Sequence, residues 1–156
     1  MFKTISYILS HPLNREHKMA ALGRYVGWQV KSRLTRKKMP VRFVGGTRLL
    51  VAGGMTGATG NIYCGLHEFA DMAFVMHALC PEDLFADIGA NVGSYSVLAA
   101  GVADACVIAA EPSPVTFAHL QDNIRVNGLE KKARLCNVAL WVRCPASCSS
   151  RADRTS

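Results

Sequence analysis

The stretch Leu84-Phe-Ala-Asp-Ile-Gly-Ala-Asn-Val-Gly93 decides the predicted fold. Four of its first five residues are apolar, which predicts a buried strand over 84–88. Glycines follow at positions 89 and 93, and glycine permits the tight turns that connect a strand to a helix. The sequence therefore predicts a strand, a tight loop and a helix that runs from Ser94 to Ala103.

The same alternation continues towards the carboxyl terminus. Two further strands are predicted over Ala105 to Ala110 and Ala133 to Leu140, and a helix over Pro114 to Asn127 lies between them. Strands that alternate with helices of this length form a parallel sheet with right-handed crossovers. We therefore predict an α/β fold of the Rossmann-like type.

Polar residues stand at the ends of the first two predicted strands. Asp87 lies at the end of the first strand, and Glu111 directly follows the second. Ligands of such sheets bind at the carboxyl ends of the strands. Gly89 and Gly93 let the backbone turn tightly and approach a ligand, and Asn91 tolerates a left-handed backbone. This loop is therefore a candidate ligand-binding loop.

The loop does not fit a dinucleotide-binding motif, and its charge favours a sulfonium cofactor. A Gly-x-Gly-x-x-Gly motif that starts at Gly89 requires glycines where the chain has Asn91 and Ser94. The carboxylate of Asp87 suits the ammonium or sulfonium of S-adenosylmethionine better than a phosphate. The carboxylate of Glu111 can accept two hydrogen bonds from a ribose diol. The alternative for either acid is a helix cap or a solvated turn.

Four segments of this region resemble the FkbM-type S-adenosylmethionine-dependent methyltransferases, over about residues 62–140. The resemblance implies a class I methyltransferase fold, S-adenosyl-L-methionine as cofactor, and methyl transfer to oxygen. The implied acceptor is a small molecule, either a saccharide or a secondary metabolite. The segments are Phe85-Ala-Asp-Ile-Gly-Ala-Asn-Val-Gly-Ser-Tyr-Ser96, Glu111-Pro-Ser-Pro-Val-Thr-Phe117, Leu120-Gln-Asp-Asn-Ile124 with Asn127, and Asn137-Val-Ala-Leu140.

The resemblance also implies roles for individual residues. It implies that Glu111 binds the cofactor ribose and that Asn137 lies on the adenine side. Glu68 is a further candidate for the cofactor pocket, and its alternative is a solvated acid that complements the dipole at a helix start. His67 is interpreted as a surface residue, and no catalytic base is assigned. The candidate cofactor-binding residues are Glu68, Asp87, Gly89, Asn91, Gly93, Glu111 and Asn137.

Residues 1–61 are predicted to be a basic amino-terminal extension made of helices and a hairpin. Within them, residues 14–38 carry an apolar stripe at helical spacing. We favour a helix that packs on the core with a solvated basic face; the alternative is a helix that lies on an anionic partner or membrane surface. The stripe consists of Leu22, Val26, Val30 and Leu34, with Met19 and Tyr25 beside it.

Three elements are predicted between that helix and the first parallel strand. Val41 to Val44 and Thr47 to Val51 predict a hairpin around two glycines. The glycine-rich stretch from Gly53 to Gly60 is predicted to be a loop. It lacks the Lys-Ser/Thr ending of a phosphate-binding P-loop. Leu66 to Leu79 predicts a helix.

The net charge of +7 is unevenly distributed. Residues 1–48 hold eleven Lys and Arg and one acid, residues 49–130 hold one and nine, and residues 131–156 hold six and one. The basic residues are not interleaved with a nucleic-acid-binding motif, so no nucleic-acid partner is predicted.

The cysteines and the apolar runs bear on metal binding and location. The six cysteines lack zinc-ligand spacing, so no metal site is predicted, and Cys64, Cys80 and Cys106 are interpreted as buried thiols. No run of 18 or more apolar residues occurs, and the first ten residues lack a signal-peptide cleavage site. We therefore predict a cytoplasmic protein without a transmembrane segment.

Residues 141–156 depart from the family pattern. They have no apolar periodicity and predict a disordered tail, which suggests a frameshifted or early-ended reading frame. The first three parallel strands would then be present and the later strands missing. The strand at 84–88 would be an exposed edge, which predicts self-association. The chain would be a methyltransferase with weak or no turnover, or a non-catalytic remnant that binds S-adenosylmethionine or a partner.

Overall fold

The computed structural model describes residues 2–35 and 37–140. The predicted tail at 141–156 lies outside the described residues. The elements, in chain order, are α1 (Phe2–Ser10), a 3-10 turn (Pro12–Asn14), α2 (Lys18–Leu34), β1 (Met39–Arg42), a 3-10 turn (Val44–Gly46), β2 (Arg48–Val51), α3 (Thr56–Cys64), α4 (Phe69–Ala78), β3 (Leu84–Ile88), α5 (Ser94–Gly101), β4 (Cys106–Ala110), α6 (Pro114–Val126) and β5 (Ala133–Cys136).

Three parallel strands in the order β3-β4-β5 form the sheet that carries the candidate loop. The pairing of β3 with β4 ends at Ile88 opposite Ala110, and that of β4 with β5 ends at Ala110 opposite Cys136. Helices α5 and α6 form the two crossovers. The predicted α/β Rossmann-like fold is confirmed, with three parallel strands in the described part of the chain.

Helix α5 lies at the centre of the hydrophobic core. It contacts α4 and α6 on its outer sides and β3 and β4 beneath it. Val97 and Leu98 are fully buried, and each contributes roughly 1.5–3 kcal/mol by leaving water. The small side chains of Ala99 and Ala100 are also buried, and their size lets the helix approach the sheet closely. This packing fixes the start of α5, where the candidate loop ends.

Strand β3 is not the fully buried strand that its apolar sequence predicts. Leu84 is 61% exposed and Ile88 is 57% exposed, and both side chains point to the same face of the sheet. Asp87 points to the other face and is buried. Right-handed crossovers that advance in one direction place both helices on the same face of a sheet. The opposite face of β3 is therefore left open in the described structure.

The amino-terminal hairpin shares its core with the sheet. β1 and β2 pair antiparallel, which confirms the predicted hairpin. Val51 of β2 belongs to the same buried cluster as Val107 of β4. The backbone N–H of Leu50 also donates a 2.6 Å hydrogen bond to Oδ1 of the buried Asn123 in α6. The predicted domain boundary between residues 61 and 62 stays a prediction.

Helix α2 packs on the core with a different face from the one predicted. Ala21 and Trp28 are buried, Tyr25 is half-buried, and the helix contacts α1 and α3. The prediction that the 22–34 stripe packs on the core is wrong, because the large ring of Trp28 buries more apolar area. The exposed fractions are 81% for Met19, 57% for Val26, 50% for Val30 and 82% for Leu34.

No described helix is long and apolar enough to cross the membrane.

Several predicted boundaries are wrong. The stretch 53–60 is not a loop throughout, because α3 begins at Thr56. Burial of Ala58 and Tyr63 stabilises this helix despite its glycines. The predicted helix over 66–79 is shorter, and helix α1 was not predicted.

The cysteines differ in exposure. Cys64 is buried, as predicted, but Cys80 and Cys106 are exposed. Cys106 begins β4 opposite the exposed Leu84 of β3, so both side chains lie on the same open face of the sheet, which explains its exposure. The last two cysteines of the chain, at 144 and 148, lie outside the described residues.

Candidate functional site

A cleft of about 340 Å³ lies at the carboxyl end of β3. It is bounded by the start of α4, the loop that follows β3, and the first turn of α5. Two acidic side chains line it and no lysine or arginine of the described chain does. The lining residues are His67, Glu68, Met72, Asp87, Gly89, Ala90, Asn91, Val92, Ser94 and Tyr95.

The loop backbone is left-handed at three positions. The φ angles are 77° at Gly89, 51° at Asn91 and 84° at Gly93, as the residue types predict. No atom lies within 4 Å of the position that a Cβ on Gly89 would take, so this glycine leaves room for a ligand. A Cβ on Gly93 would lie only 2.4 Å from Cδ1 of Leu120, so this glycine lets α6 approach.

Asp87 is a buried carboxyl group that lines the cleft. Its exposed fraction is 8%, and its Oδ2 accepts a 2.5 Å hydrogen bond from Oγ of Ser96. Burial raises the pKa of Asp87, and the hydrogen bonds from the hydroxyl and backbone of Ser96 oppose that rise. Ser96 lies in the first turn of α5, whose N-cap residue is Gly93, so Asp87 contacts the start of this helix without being its N-cap.

Glu111 braces the loop from the neighbouring strand. Its Oε2 accepts a 2.9 Å hydrogen bond from the backbone N–H of Asn91, and its Oε1 accepts one of 3.0 Å from that of Ser113. Each carboxylate oxygen has two acceptor sites, so these bonds leave capacity for a ribose diol. Glu111 does not line the cleft itself.

Asn137 joins the ends of two strands. Its Nδ2 donates hydrogen bonds of 2.8 Å to the carbonyl oxygen of Glu111 and 3.2 Å to that of Pro112. Strand β4 ends at Ala110, opposite Cys136, so β5 has no pairing partner in β4 beyond Cys136 and ends there instead of at the predicted Leu140. The structure therefore places Asn137 beside Glu111 but outside the cleft lining.

Glu68 and Tyr95 form a pair across the mouth of the cleft. The hydroxyl of Tyr95 donates a 2.8 Å hydrogen bond to Oε2 of Glu68. Burial raises the pKa of Tyr95 strongly, and the hydrogen bond and charge of Glu68 raise it further. Glu68 stands at the start of α4 without capping its backbone. Sequence reasoning missed Tyr95, although its place in the first turn after the loop is a usable signal.

His67 is not the surface residue that was predicted. Its Nδ1 is buried and has no hydrogen-bond partner in the described structure. Its ring lies against Gly60 of α3, where a Cβ would come within 2.4 Å of it. The backbone N–H of His67 donates a 2.8 Å hydrogen bond to Oδ1 of Asn61, whose Nδ2 donates to Oγ of Ser94. This network connects α3 to the first turn of α5.

The described side chains do not form a metal centre. Across residues 2–35 and 37–140, no group of three His, Cys, Asp or Glu side chains is arranged to hold a metal ion.

Three solved structures with a similar fold are distant from this chain in sequence. P. horikoshii TYW2 in complex with MeSAdo matches 67% of this chain with a TM-score of 0.55 and 22% identity. The complex of aTrm5 with tRNALeu matches 67% with a TM-score of 0.51 and 23% identity. The SAM-dependent methyltransferase from Agrobacterium tumefaciens matches 66% with a TM-score of 0.52 and 16% identity.

These similarities show the α/β Rossmann-like fold, which the chain shares with a SAM-dependent methyltransferase. The chain spans only 37%, 28% and 33% of the lengths of the three structures. No protein-family model matches the sequence, and no curated protein does. The resemblance to the FkbM-type family therefore stays a prediction.

Proposed function

We propose that this chain binds S-adenosylmethionine in the cleft at the end of β3, as the cofactor-binding part of a methyltransferase. The observation that carries the proposal is the charge of the cleft, which Glu68 and Asp87 line without any described cation. A sulfonium and an ammonium group gain from this arrangement, whereas phosphate groups are repelled. The shared fold with a SAM-dependent methyltransferase supports the same cofactor.

The backbone of the loop and the acid that follows β4 support the same proposal. The open space over Gly89 lets a ligand approach the backbone closely. The acid Glu111 stands at the end of the next strand, where a ribose diol meets a carboxylate in related sheets. Asp87 is held by Ser96 and contributes a fixed negative charge to the wall of the cleft.

The acceptor that we propose is a hydroxyl group of a saccharide or another small molecule, and this rests on the FkbM-type resemblance. When bound, S-adenosylmethionine supplies an electrophilic methyl group. The part of the chain is to hold and align the cofactor, and such alignment contributes roughly 7–11 kcal/mol to reactions of this type. We assign no catalytic base.

Titration calorimetry with S-adenosylmethionine tests the proposal. We expect saturable binding that weakens at least about tenfold in Asp87→Asn, because a buried charge partner is lost. The matched control is Glu82→Gln, which changes an exposed acid outside the cleft. Absence of binding, or preferential binding of adenosine triphosphate, would contradict the proposal. A methyl-transfer assay then separates an active enzyme from a chain that only binds the cofactor.

A further inference from the structure

Helix α2 carries an apolar stripe that faces solvent. At roughly 100° per residue, its members fall within an arc of about 80°, on the side opposite to Ala21 and Trp28, and they extend over about 22 Å. Because the helix already buries its opposite face in the core, packing does not explain this stripe, and exposed apolar surface of this kind marks an interaction site. This apolar stripe consists of Met19, Val26, Val30 and Leu34, which are 50 to 82% exposed. It differs from the stripe predicted from the sequence, because Leu22 and Tyr25 are half-buried and do not belong to it.

A cleft of about 580 Å³ lies beside the apolar stripe, between α2 and β1. Gly23 and Gly27 border it on the helix; Gly23 lies within the arc of the stripe, and Gly27 lies between the stripe and Trp28. No atom lies within 4 Å of the Cβ position of either glycine, so both keep the cleft open. Val41 and Ile62 add apolar lining. The cleft therefore has room for a compact group next to the stripe.

The charged residues that line this cleft are all cations. They are Arg24, Lys31 and Arg42, and no acidic residue is among the lining. Nη2 of Arg24 donates hydrogen bonds of 2.7 Å to Oδ1 of Asn14 and 2.9 Å to the carbonyl oxygen of Tyr63, which fix the guanidinium in place.

The surroundings of the cleft do not neutralise these cations. Lys31 and Arg42 form no ion pair within residues 2–35 and 37–140. Residues 1–48 as a whole hold eleven Lys and Arg against one acid. The complementary ligand is therefore an anion, and the apolar stripe beside the cleft requires that the anion be attached to apolar material.

We propose that the apolar stripe and this cationic cleft form one binding surface for an anionic phospholipid bilayer. A phosphate headgroup occupies the cleft beside Lys31 and Arg42, and the stripe enters the boundary between headgroups and acyl chains. A helix with an apolar face and adjacent cations lies in the plane of such a boundary. Basic residues near an anionic leaflet strengthen the attachment.

Flotation of the full chain with lipid vesicles tests this proposal. Vesicles rise in a density gradient and carry bound protein with them, whereas self-associated protein stays at the bottom. We expect flotation with phosphatidylglycerol/phosphatidylcholine vesicles and little with phosphatidylcholine alone. Added glycerol 3-phosphate separates the two sources of phosphate: it should compete only weakly, because it lacks the apolar part that the stripe contacts.

Matched variants locate the surface. Lys31→Gln and Arg42→Gln should each weaken partitioning by about fivefold, the contribution of one basic residue near an anionic membrane. The double substitution Val26→Ser with Val30→Ser should weaken it at least about tenfold.

The controls are Lys131→Gln and Val115→Ser, which change exposed residues of the same types away from α2. They should float like the unaltered chain. Equal flotation with phosphatidylcholine alone, or equal losses in the control variants, would overturn the proposal. So would binding of a single-stranded RNA oligomer in place of the vesicles, since nucleic acid would then be the anionic partner.

Discussion

The backbone N–H of Asn91 donates a hydrogen bond of 2.9 Å to Oε2 of Glu111. This bond ties the loop after β3 to the end of β4, so the two parts of the candidate cofactor site are one connected structure. Glu111 is 8% exposed, and a buried carboxylate that accepts two backbone N–H groups holds the loop more strongly than a neutral acceptor does.

The first prediction concerns that connection. Glu111→Gln keeps one acceptor oxygen but turns an amide NH₂ towards a backbone N–H, so one of the two hydrogen bonds is lost. We expect the free energy of unfolding to fall by about 1.5–3 kcal/mol and the affinity for S-adenosylmethionine to fall with it. Urea denaturation and titration calorimetry measure the two effects. The matched control Glu130→Gln should change neither the free energy of unfolding nor the affinity. An unaltered affinity in Glu111→Gln would show that the hydrogen bonds accepted by Glu111 do not support cofactor binding.

A second prediction separates backbone strain from packing at Gly93, and Gly128, which follows α6, serves as the comparison. Gly93→Ala forces a Cβ into a left-handed residue and places it 2.4 Å from the buried Leu120, whereas Gly128→Ala has φ of 66° and open space. The left-handed strain costs about 1–2 kcal/mol in both variants. Overpacking should add about 1–3 kcal/mol to Gly93→Ala alone. Equal losses in urea denaturation would show that α6 does not pack tightly on this loop.

The third prediction concerns pH. In the proposed site, the sulfonium cofactor pairs with the ionised form of Asp87, and burial raises the pKa of this carboxyl above its usual value of 3.8. Lowering the pH should therefore weaken binding of S-adenosylmethionine earlier than an exposed carboxyl would predict. Calorimetry over a pH series measures this, and Asp87→Asn should abolish that part of the pH dependence. A wild-type profile identical to that of Asp87→Asn would argue against a role for this carboxylate.

The same rise in the pKa of Asp87 predicts that the folded protein loses stability as the pH rises, whereas cofactor binding becomes stronger. A carboxyl whose pKa is raised in the folded state binds its proton more tightly there than in the unfolded chain. Its contribution to the free energy of unfolding is thus fully present below pH 3.8 and is lost as the pH rises through the raised pKa. We expect Asp87→Asn to be more stable than the wild type at neutral pH in urea denaturation, even though it binds the cofactor less well. A less stable variant would show that the hydrogen bonds from Ser96 outweigh desolvation.

The loop was predictable from the sequence because its backbone demands particular residues. Left-handed φ angles at Gly89, Asn91 and Gly93 follow from residue types that tolerate them. The bracing role of Glu111 was not predictable, because it depends on a register between two strands that are distant in sequence. The face on which α2 packs was also missed, since Met19 and Leu34 fit a helical stripe as well as Ala21 and Trp28 do. Periodicity identifies an apolar face but not the surface that covers it.

The fourth prediction concerns the connection between the hairpin and the loop after β3. The buried Asn123 accepts a 2.6 Å hydrogen bond from the N–H of Leu50, and its Nδ2 donates one of 2.7 Å to the carbonyl oxygen of Val92. Asn123→Ala leaves both backbone groups unpaired and should lower the free energy of unfolding by at least about 1–3 kcal/mol, with weaker cofactor binding.

Asn127→Ala is the matched variant for this prediction. Its side chain exchanges hydrogen bonds of 2.8 Å with the backbone of Arg48 and also donates to the carbonyl oxygen of Asn123, but it does not touch the loop. It should therefore reduce stability without a comparable loss of cofactor affinity. Equal losses of affinity in the two variants would show that the hairpin acts on the cleft only through overall stability.

The fifth prediction is self-association through β3. This strand pairs only with β4 in the described sheet, so its other edge has unpaired backbone groups, and Leu84 on it is 61% exposed. An apolar edge strand pairs readily with another chain, and a lysine on the edge prevents this. We expect sedimentation velocity to detect concentration-dependent oligomers of the wild type, and Leu84→Lys to shift them towards monomer. Phe74→Lys, on an exposed residue of α4, is the control. A wild-type chain that sediments as a monomer at all concentrations, or an equal shift in Phe74→Lys, would contradict association through this edge.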